Sequence, residues 1–187
     1  MPFTALITAF WLLFWVYWLI SAIGAKKNAR RNPWWQGRGQ RIFLLIIILL
    51  ATRLQHRHVF GNYGVAPSNP VARSTGVILC GLGILLAVWA RVHLGRNWGE
   101  PMAVKEGHEL VTTGPYRIVR HPIYSGILLA MLGSALAVGT PWLMAFVCVA
   151  AYLAYCAKME EQLMTQQFPC EYPQYKRKTK MLIPFVW

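Results

Sequence analysis

Apolar positions in this chain come in long unbroken runs, and charged positions fill the gaps between them. Phe3 to Ile23 holds no charge over 21 residues, about 31 Å of helix, which matches the hydrocarbon thickness of a bilayer. It lacks a basic n-region and a small-residue cleavage site, so it reads as a retained span and not a signal peptide. Ile42 to Thr52 supplies only eleven residues between Arg41 and Arg53. That is about 17 Å of helix, so this second span needs snorkelling arginines and extension past Arg53. Thr75 to Ala90 is the third, and Gly76, Gly81 and Gly83 admit close helix contact there. Pro122 to Ala157 is uncharged for 36 residues, interrupted by Gly139-Thr140-Pro141. That turn signal divides it into two antiparallel spans of a hairpin. Beyond it, Leu163, Met164, Phe168, Tyr172 and Tyr175 recur at spacings of mostly three or four. The spacing predicts an amphipathic surface helix, broken near Pro169 and Pro173. The reading is an all-α polytopic membrane protein of about five transmembrane helices, with a C-terminal hairpin and an interfacial tail helix, in a single domain over residues 1–187.

Composition agrees: 56% of residues are hydrophobic and only 13% charged. A net charge of +13 is the usual mark of nucleic-acid binding. Here the basic residues flank apolar runs, as in short cytoplasmic loops, so no nucleic-acid partner is expected. With five spans and the N-terminus outside, sixteen of the nineteen Lys and Arg residues fall on the cytoplasmic side. The reverse orientation leaves three there, and the positive-inside rule decides between them. All six glutamates lie on that same face. The four cysteines show no metal-ligand spacing and read as buried small hydrophobes or free thiols.

The densest chemistry lies in Gly114-Pro115-Tyr116-Arg117-Ile118-Val119-Arg120-His121-Pro122-Ile123-Tyr124. Two guanidiniums, an imidazole and two phenols stand at the mouth of a helix, where ionisable groups are costly and mark function. The bland reading of His121 and Pro122, a braced helix start, is ordinary. Glu160 and Glu161 stand where the fifth span leaves the bilayer, beside a basic tail. Trp11, Trp15, Trp18, Trp34 and Trp35 read as interfacial or lipid-facing anchors. Glu100, Glu106 and Glu109 read as solvated loop charges, and His56 and His58 as loop residues.

The ordered set Trp89-Ala90-Arg91, Leu94-Gly95-Arg96-Asn97-Trp98, His108 to Arg117, Arg120 to Gly126, then Glu160-Glu161, Phe168, Tyr172, Tyr175 and Leu182-Ile183-Pro184 resembles the isoprenylcysteine carboxyl methyltransferases and the related membrane phospholipid methyltransferases. The resemblance covers about residues 88–184. It implies S-adenosylmethionine as cofactor, bound without a Rossmann domain, and no G-x-G-x-x-G after a strand is present here. By position it places His108, Glu109, Leu110, Val111, Tyr116, Arg120, His121, Pro122, Ile123, Tyr124 and Glu160 around the cofactor. It makes Glu160, Arg91 and His121 the candidate catalytic residues, with no metal. A sulfonium favours aromatic faces and carboxylates, and a methionine carboxylate favours arginine or backbone donors. The implied partner is a lipophilic acceptor entering from the bilayer, a prenylcysteine carboxylate or similar. One position departs: Cys156 stands where the carboxyl methyltransferases commonly carry an arginine, leaving Arg91 or Lys158 to meet an acceptor carboxylate. A phospholipid N-methyltransferase is the alternative, and an NADPH-dependent sterol-type reductase a more distant one.

The charge bias makes a direct prediction. Cysteines introduced at Gly107 and Thr179 should escape a membrane-impermeant maleimide added to intact cells. Efficient labelling of both from outside overturns the orientation.

Overall fold

The apolar runs form helices whose ends follow the local chemistry. The computed structural model describes residues 2–22, 69–98 and 109–184. Helix α1 spans Pro2–Ala22, α2 Pro70–Leu94, α3 Pro122–Val138, α4 Thr140–Gln167 and α5 Glu171–Lys178, with single 3-10 turns at Gly95–Asn97 and Gly114–Arg117. Helices α1, α2 and α4 are long and apolar enough to cross a membrane. Helix α3 is shorter, at 17 residues, or about 26 Å. The expected second span, Ile42 to Thr52, lies outside the described residues.

Helix α2 runs past both ends of the apolar stretch Thr75–Ala90 because its two arginines find partners. Asn69 caps the start, accepting from the Val71 amide at 2.9 Å, and Pro70 occupies the first helical position. Arg73 donates to the Ala137 carbonyl at 3.1 Å and lies over the Phe3 ring. At the other end, Arg91 donates to the carbonyls of Gly95 (2.8 Å) and Ser21 (2.6 Å) and stacks on Trp98. Desolvated arginines are tolerated when backbone oxygens and an aromatic face replace water.

The centre of the fold is a seam of small residues between α2 and α3. Gly76, Cys80, Gly83 and Ala87 are all buried on α2. Gly126, Ala130, Gly133 and Ala137 are buried on α3. Both sets repeat at spacings of four, three and four, so each forms one stripe along its helix. A Cβ added at Gly83 would stand 2.4 Å from the Ala130 nitrogen and 2.6 Å from the Gly126 carbonyl oxygen. One at Gly133 would meet the Cys80 nitrogen at 2.4 Å and one at Gly76 the Ala137 nitrogen at 2.6 Å. The helices therefore touch backbone to backbone, antiparallel, over three turns. In lipid, where apolar burial drives little association, such contact is the chief packing force. Gly81 is not in the seam; it faces the Phe10 ring of α1.

Helix α1 is fixed to this pair by aromatic and polar contacts. Ile7 and Phe10 pack against the Cys80–Ala130 cluster. Trp11 donates to Ser134 at 3.0 Å and stacks on Trp142, while Ser134 donates back to the Ala130 carbonyl. Trp18 lies against Phe14 and Trp98. Trp11 and Trp18 are thus half-buried and packed against other helices as well, whereas Trp15 is 38% exposed. Trp34 and Trp35 lie outside the described residues. Cys80 and Cys156 are buried thiols, and Cys148 and Cys170 are exposed.

The hairpin turns at the single residue Gly139, whose φ of 122° excludes most side chains. Helix α4 then continues ten residues beyond Ala157 and carries Glu160 and Glu161 with it. The tail breaks at Phe168–Cys170, and Pro173 lies in the first turn of α5. It does not break the helix there, because a first-turn residue needs no amide partner.

Gly83→Ala should therefore destabilise the protein by roughly 2 kcal/mol, the usual range for overpacking a tight interface. Gly81→Ala should be close to neutral. Unfolding in detergent followed by circular dichroism checks this, and equal stability of the two variants refutes the seam.

Candidate active site at the mouth of the hairpin

Two short segments that are far apart in sequence run side by side below α3. The Arg120 amide donates to the Lys180 carbonyl at 2.8 Å and the His121 amide to the Met181 carbonyl at 3.1 Å. Ser125 adds a hydroxyl donated to the Leu182 carbonyl. Met181 and Leu182 are buried against Ala157, Tyr124 and Leu128. The apolar return at Leu182 is thus what anchors the tail, by removing its side chain and its neighbour's from water.

Glu160 and Glu161 are consecutive on α4 and so point about 100° apart. Glu160 accepts from the Tyr124 hydroxyl at 2.6 Å, and its second oxygen lies 3.3 Å from His121 Nδ1. The His121 and Tyr124 rings stack with their planes 4° apart. Glu161 is 5% exposed. It accepts from Arg120 Nε and from Lys176 Nζ, each at 2.6 Å. Arg120 also donates to the carbonyls of Thr179 and Lys176. His121 Nε2 is 3.7 Å from Glu161, too far for a hydrogen bond, and it is buried without another partner among the described residues. Burial opposes an imidazolium here, but the two flanking carboxylates outweigh it and raise the His121 pKa.

The outer wall is built on the Gly114–Arg117 turn. Gly114 has φ 59°, and an added Cβ would stand 2.6 Å from the His93 ring, so only glycine fits. His93 is within 2.8 Å of the Thr113 hydroxyl. Tyr116 is buried with Ala90 and Ile123, and its carbonyl accepts from the Tyr175 hydroxyl at 2.6 Å. Burial pushes the Tyr175 phenol up to about 12, so it stays a neutral donor. Between this turn and α5 lies a cleft of about 490 Å³, whose walls include Leu110, Thr112, Arg117, Gln174, Tyr175 and Lys178.

The expected site residues divide into three groups. His121, Tyr124 and Glu160 meet in one network, and Arg120 beside them pairs with Glu161. Tyr116, Pro122, Ile123 and Val111 are packed behind it, Leu110 lines the cleft, and Glu109 is exposed. His108 lies outside the described residues. Arg91 is occupied in holding α1 and the Gly95 turn, with only Nε lacking a partner. Cys156 is fully buried. The sequence reading gave Lys176 and Tyr175 no role in the site, and of the acidic pair it assigned a role to Glu160 alone. Their only sequence signals are an acidic pair and a basic tail, and neither says which carboxylate turns inward.

Apolar helices long enough to span a bilayer, converging on a buried imidazole–carboxylate–phenol cluster, define a helical membrane protein with a polar site at one end. The family model described as "Phospholipid methyltransferase" matches residues 71–171. That is just over half of the chain, and the chain belongs to this family. It is 33% identical over 115 residues to protein-S-isoprenylcysteine O-methyltransferase B of Arabidopsis thaliana, covering 59% of this chain and 58% of that protein. It is 31% identical over 112 residues to protein-S-isoprenylcysteine O-methyltransferase of Schizosaccharomyces pombe (58% and 47% covered). It is also 32% identical over 106 residues to the nickel-cobalt-cadmium resistance protein NccN of Alcaligenes xylosoxydans xylosoxydans (55% and 47%). The chain spans about half to three fifths of the length of these relatives.

The raised His121 pKa links this site to stability. Protonated His121 stabilises the fold fully below its unfolded-state value of about 6.5, and that contribution is lost as pH rises through the higher folded value. Melting temperature in detergent should fall above about pH 6.5, and His121→Gln should flatten the profile. An identical pH dependence in the two proteins contradicts the assignment.

Proposed function

We propose that this chain is an integral membrane S-adenosylmethionine-dependent methyltransferase acting on a lipophilic acceptor, with its site on the cytoplasmic face. The observation that carries the reading is Glu160 held on α4 by Tyr124 and by His121, which is next in sequence to Arg120, the donor to the carbonyl of the cleft-lining Thr179. Family membership adds the reaction class.

The cleft fits the cofactor chemically. Its volume suits a ligand of that size. Arg117 and Lys178 offer cations to a carboxylate, Thr112 and Gln174 offer hydrogen bonds, and Leu110 and Tyr175 offer flat apolar surface. Leu110, Val111 and Tyr116 support that wall. When bound, S-adenosylmethionine supplies a methyl group on a cationic sulfur. His121, Pro122, Ile123 and Tyr124 belong to the inner side, where the acceptor arrives from between the helices. Their stacked and buried surfaces exclude water there. Glu160 is oriented through both oxygens, so it faces the acceptor in one geometry.

A carboxylate acceptor, as in prenylcysteine, needs no base, but it needs a cation. Cys156 is buried, Arg91 is committed to backbone oxygens and Lys158 is exposed at the surface of α4. That placement favours a second reading, an aminophospholipid acceptor that surrenders a proton. Glu160 takes the proton there, and His121 stabilises or relays it.

Purified protein should bind S-adenosylmethionine and not NADPH by calorimetry, and the reverse result replaces the reading with a reductase. Glu160→Gln should lose at least about tenfold in rate on the best acceptor, roughly 1.4 kcal/mol of transition-state stabilisation. Wild-type kinetics in that variant removes Glu160 from the mechanism. Parallel assays with a prenylcysteine and an aminophospholipid decide the acceptor.

A further inference from the structure

Glu161 is nearly as buried as any charged group in the described residues, and the chemistry proposed above does not use it. Its carboxylate joins three segments. It belongs to α4, it accepts from Arg120 at the hairpin entrance, and it accepts from Lys176 on α5. Arg120 closes the ring by donating to the carbonyls of Lys176 and Thr179 on the tail. Tyr175, one residue before Lys176, is the donor to the Tyr116 carbonyl and lines the cleft. Gln174 and Lys178, on the same short helix, line it too.

An eight-residue helix has no stability of its own in water. Helix α5 holds its place through a few contacts: the seated Tyr172, the Tyr175 hydroxyl, the paired backbone at Lys180 and Met181, and the Glu161 ring. Of these, the Glu161 ring is the ion-paired tie between α5 and α4. Removing one member of a desolvated ion pair leaves the others uncompensated, which is far more disruptive than losing a surface pair. Lys176 is the exposed arm of the ring, with 50% of its side chain accessible.

We infer that Glu161 is a positioning residue that latches α5 in place and so forms the tail-side wall of the cofactor cleft. This rests on the reading of that cleft as the seat of S-adenosylmethionine. Glu161 holds Arg120 and Lys176, with His121 Nε2 3.7 Å away, and touches neither donor nor acceptor. Its loss therefore weakens cofactor binding and loosens the tail, while the rate at saturating cofactor is largely kept. Glu160, one residue earlier, differs in kind: its loss acts on the rate.

The test uses the full chain in detergent or nanodiscs, with Glu161→Gln as the main variant. Lys176→Met is the milder one, because it removes the exposed arm and leaves the buried Arg120 pair. Hydrogen exchange is measured first on the unliganded proteins. Amides of residues 171–182 should exchange at least about tenfold faster in Glu161→Gln and by a smaller factor in Lys176→Met, with α2 and α3 unchanged. Calorimetry should then show at least about tenfold weaker binding of S-adenosylmethionine in Glu161→Gln, with KM for the cofactor rising in step and kcat staying within about threefold. Unchanged exchange in the tail overturns the latch. Faster exchange with unchanged affinity overturns the positioning role and leaves a purely structural contact. A fall in kcat at saturation as large as that of Glu160→Gln also overturns it. Absence of cofactor binding in the wild-type protein overturns the proposed function instead, and the exchange result still decides the latch. If Glu161→Gln does not fold, Lys176→Met decides by the same two measurements.

Discussion

Backbone contact between α2 and α3 is the constraint on which the rest of this structure depends. Four small residues on each helix let main chains meet at distances that a single added methyl would forbid. In a bilayer, helices gain little from hiding apolar side chains from lipid, so closeness of packing sets the geometry. The consequence is felt one turn beyond the seam. It brings the Ala90–Arg91 end of α2 against the Gly114–Arg117 turn, with Tyr116 packed on Ala90. That turn leads directly into Arg120, His121 and the start of α3. A rigid pair of helices thus holds one half of the site.

The other half comes from α4 and the tail, and here charge replaces close packing. Glu160 and Glu161 divide between two tasks because adjacent helical residues point in different directions. The outer one is held by a phenol and an imidazole, and the inner one by a guanidinium and an ammonium. Each carboxylate removed from water keeps strong partners, as buried charge requires. The same network raises the His121 pKa in spite of its burial, because the two carboxylates outweigh the loss of water. One short stretch of α4 therefore couples the chemistry of the site to the attachment of the tail.

Arginine placement follows a related logic. Arg73 and Arg91 read from the sequence as loop residues, yet both sit within α2 and donate to carbonyls of other helices. A guanidinium has several donors on a long stem, so it can satisfy backbone oxygens while still leaning toward an aromatic face. This is also why Arg91 is an unsuitable partner for an acceptor carboxylate, despite its promising position.

Much of this protein is legible in its sequence. Uninterrupted apolar runs give the helices α1, α2, α3 and α4, because a spanning segment must satisfy its backbone internally. Gly139 marks the hairpin turn, and the cluster from Tyr116 to Tyr124 marks the candidate site, because costly polar groups stand out against an apolar background. What the sequence leaves open is long-range. Gly76, Gly81 and Gly83 look alike along the chain, yet only two of them belong to the seam, since helix rotation decides which faces meet. Trp11 resembles a lipid anchor until Ser134, 123 residues away, supplies its partner. Glu160 and Glu161 form one acidic pair in sequence. Only the docking of α5 and the Arg120 segment separates them into an outward carboxylate and a buried one, because burial and pairing are properties of neighbours that the local sequence does not contain.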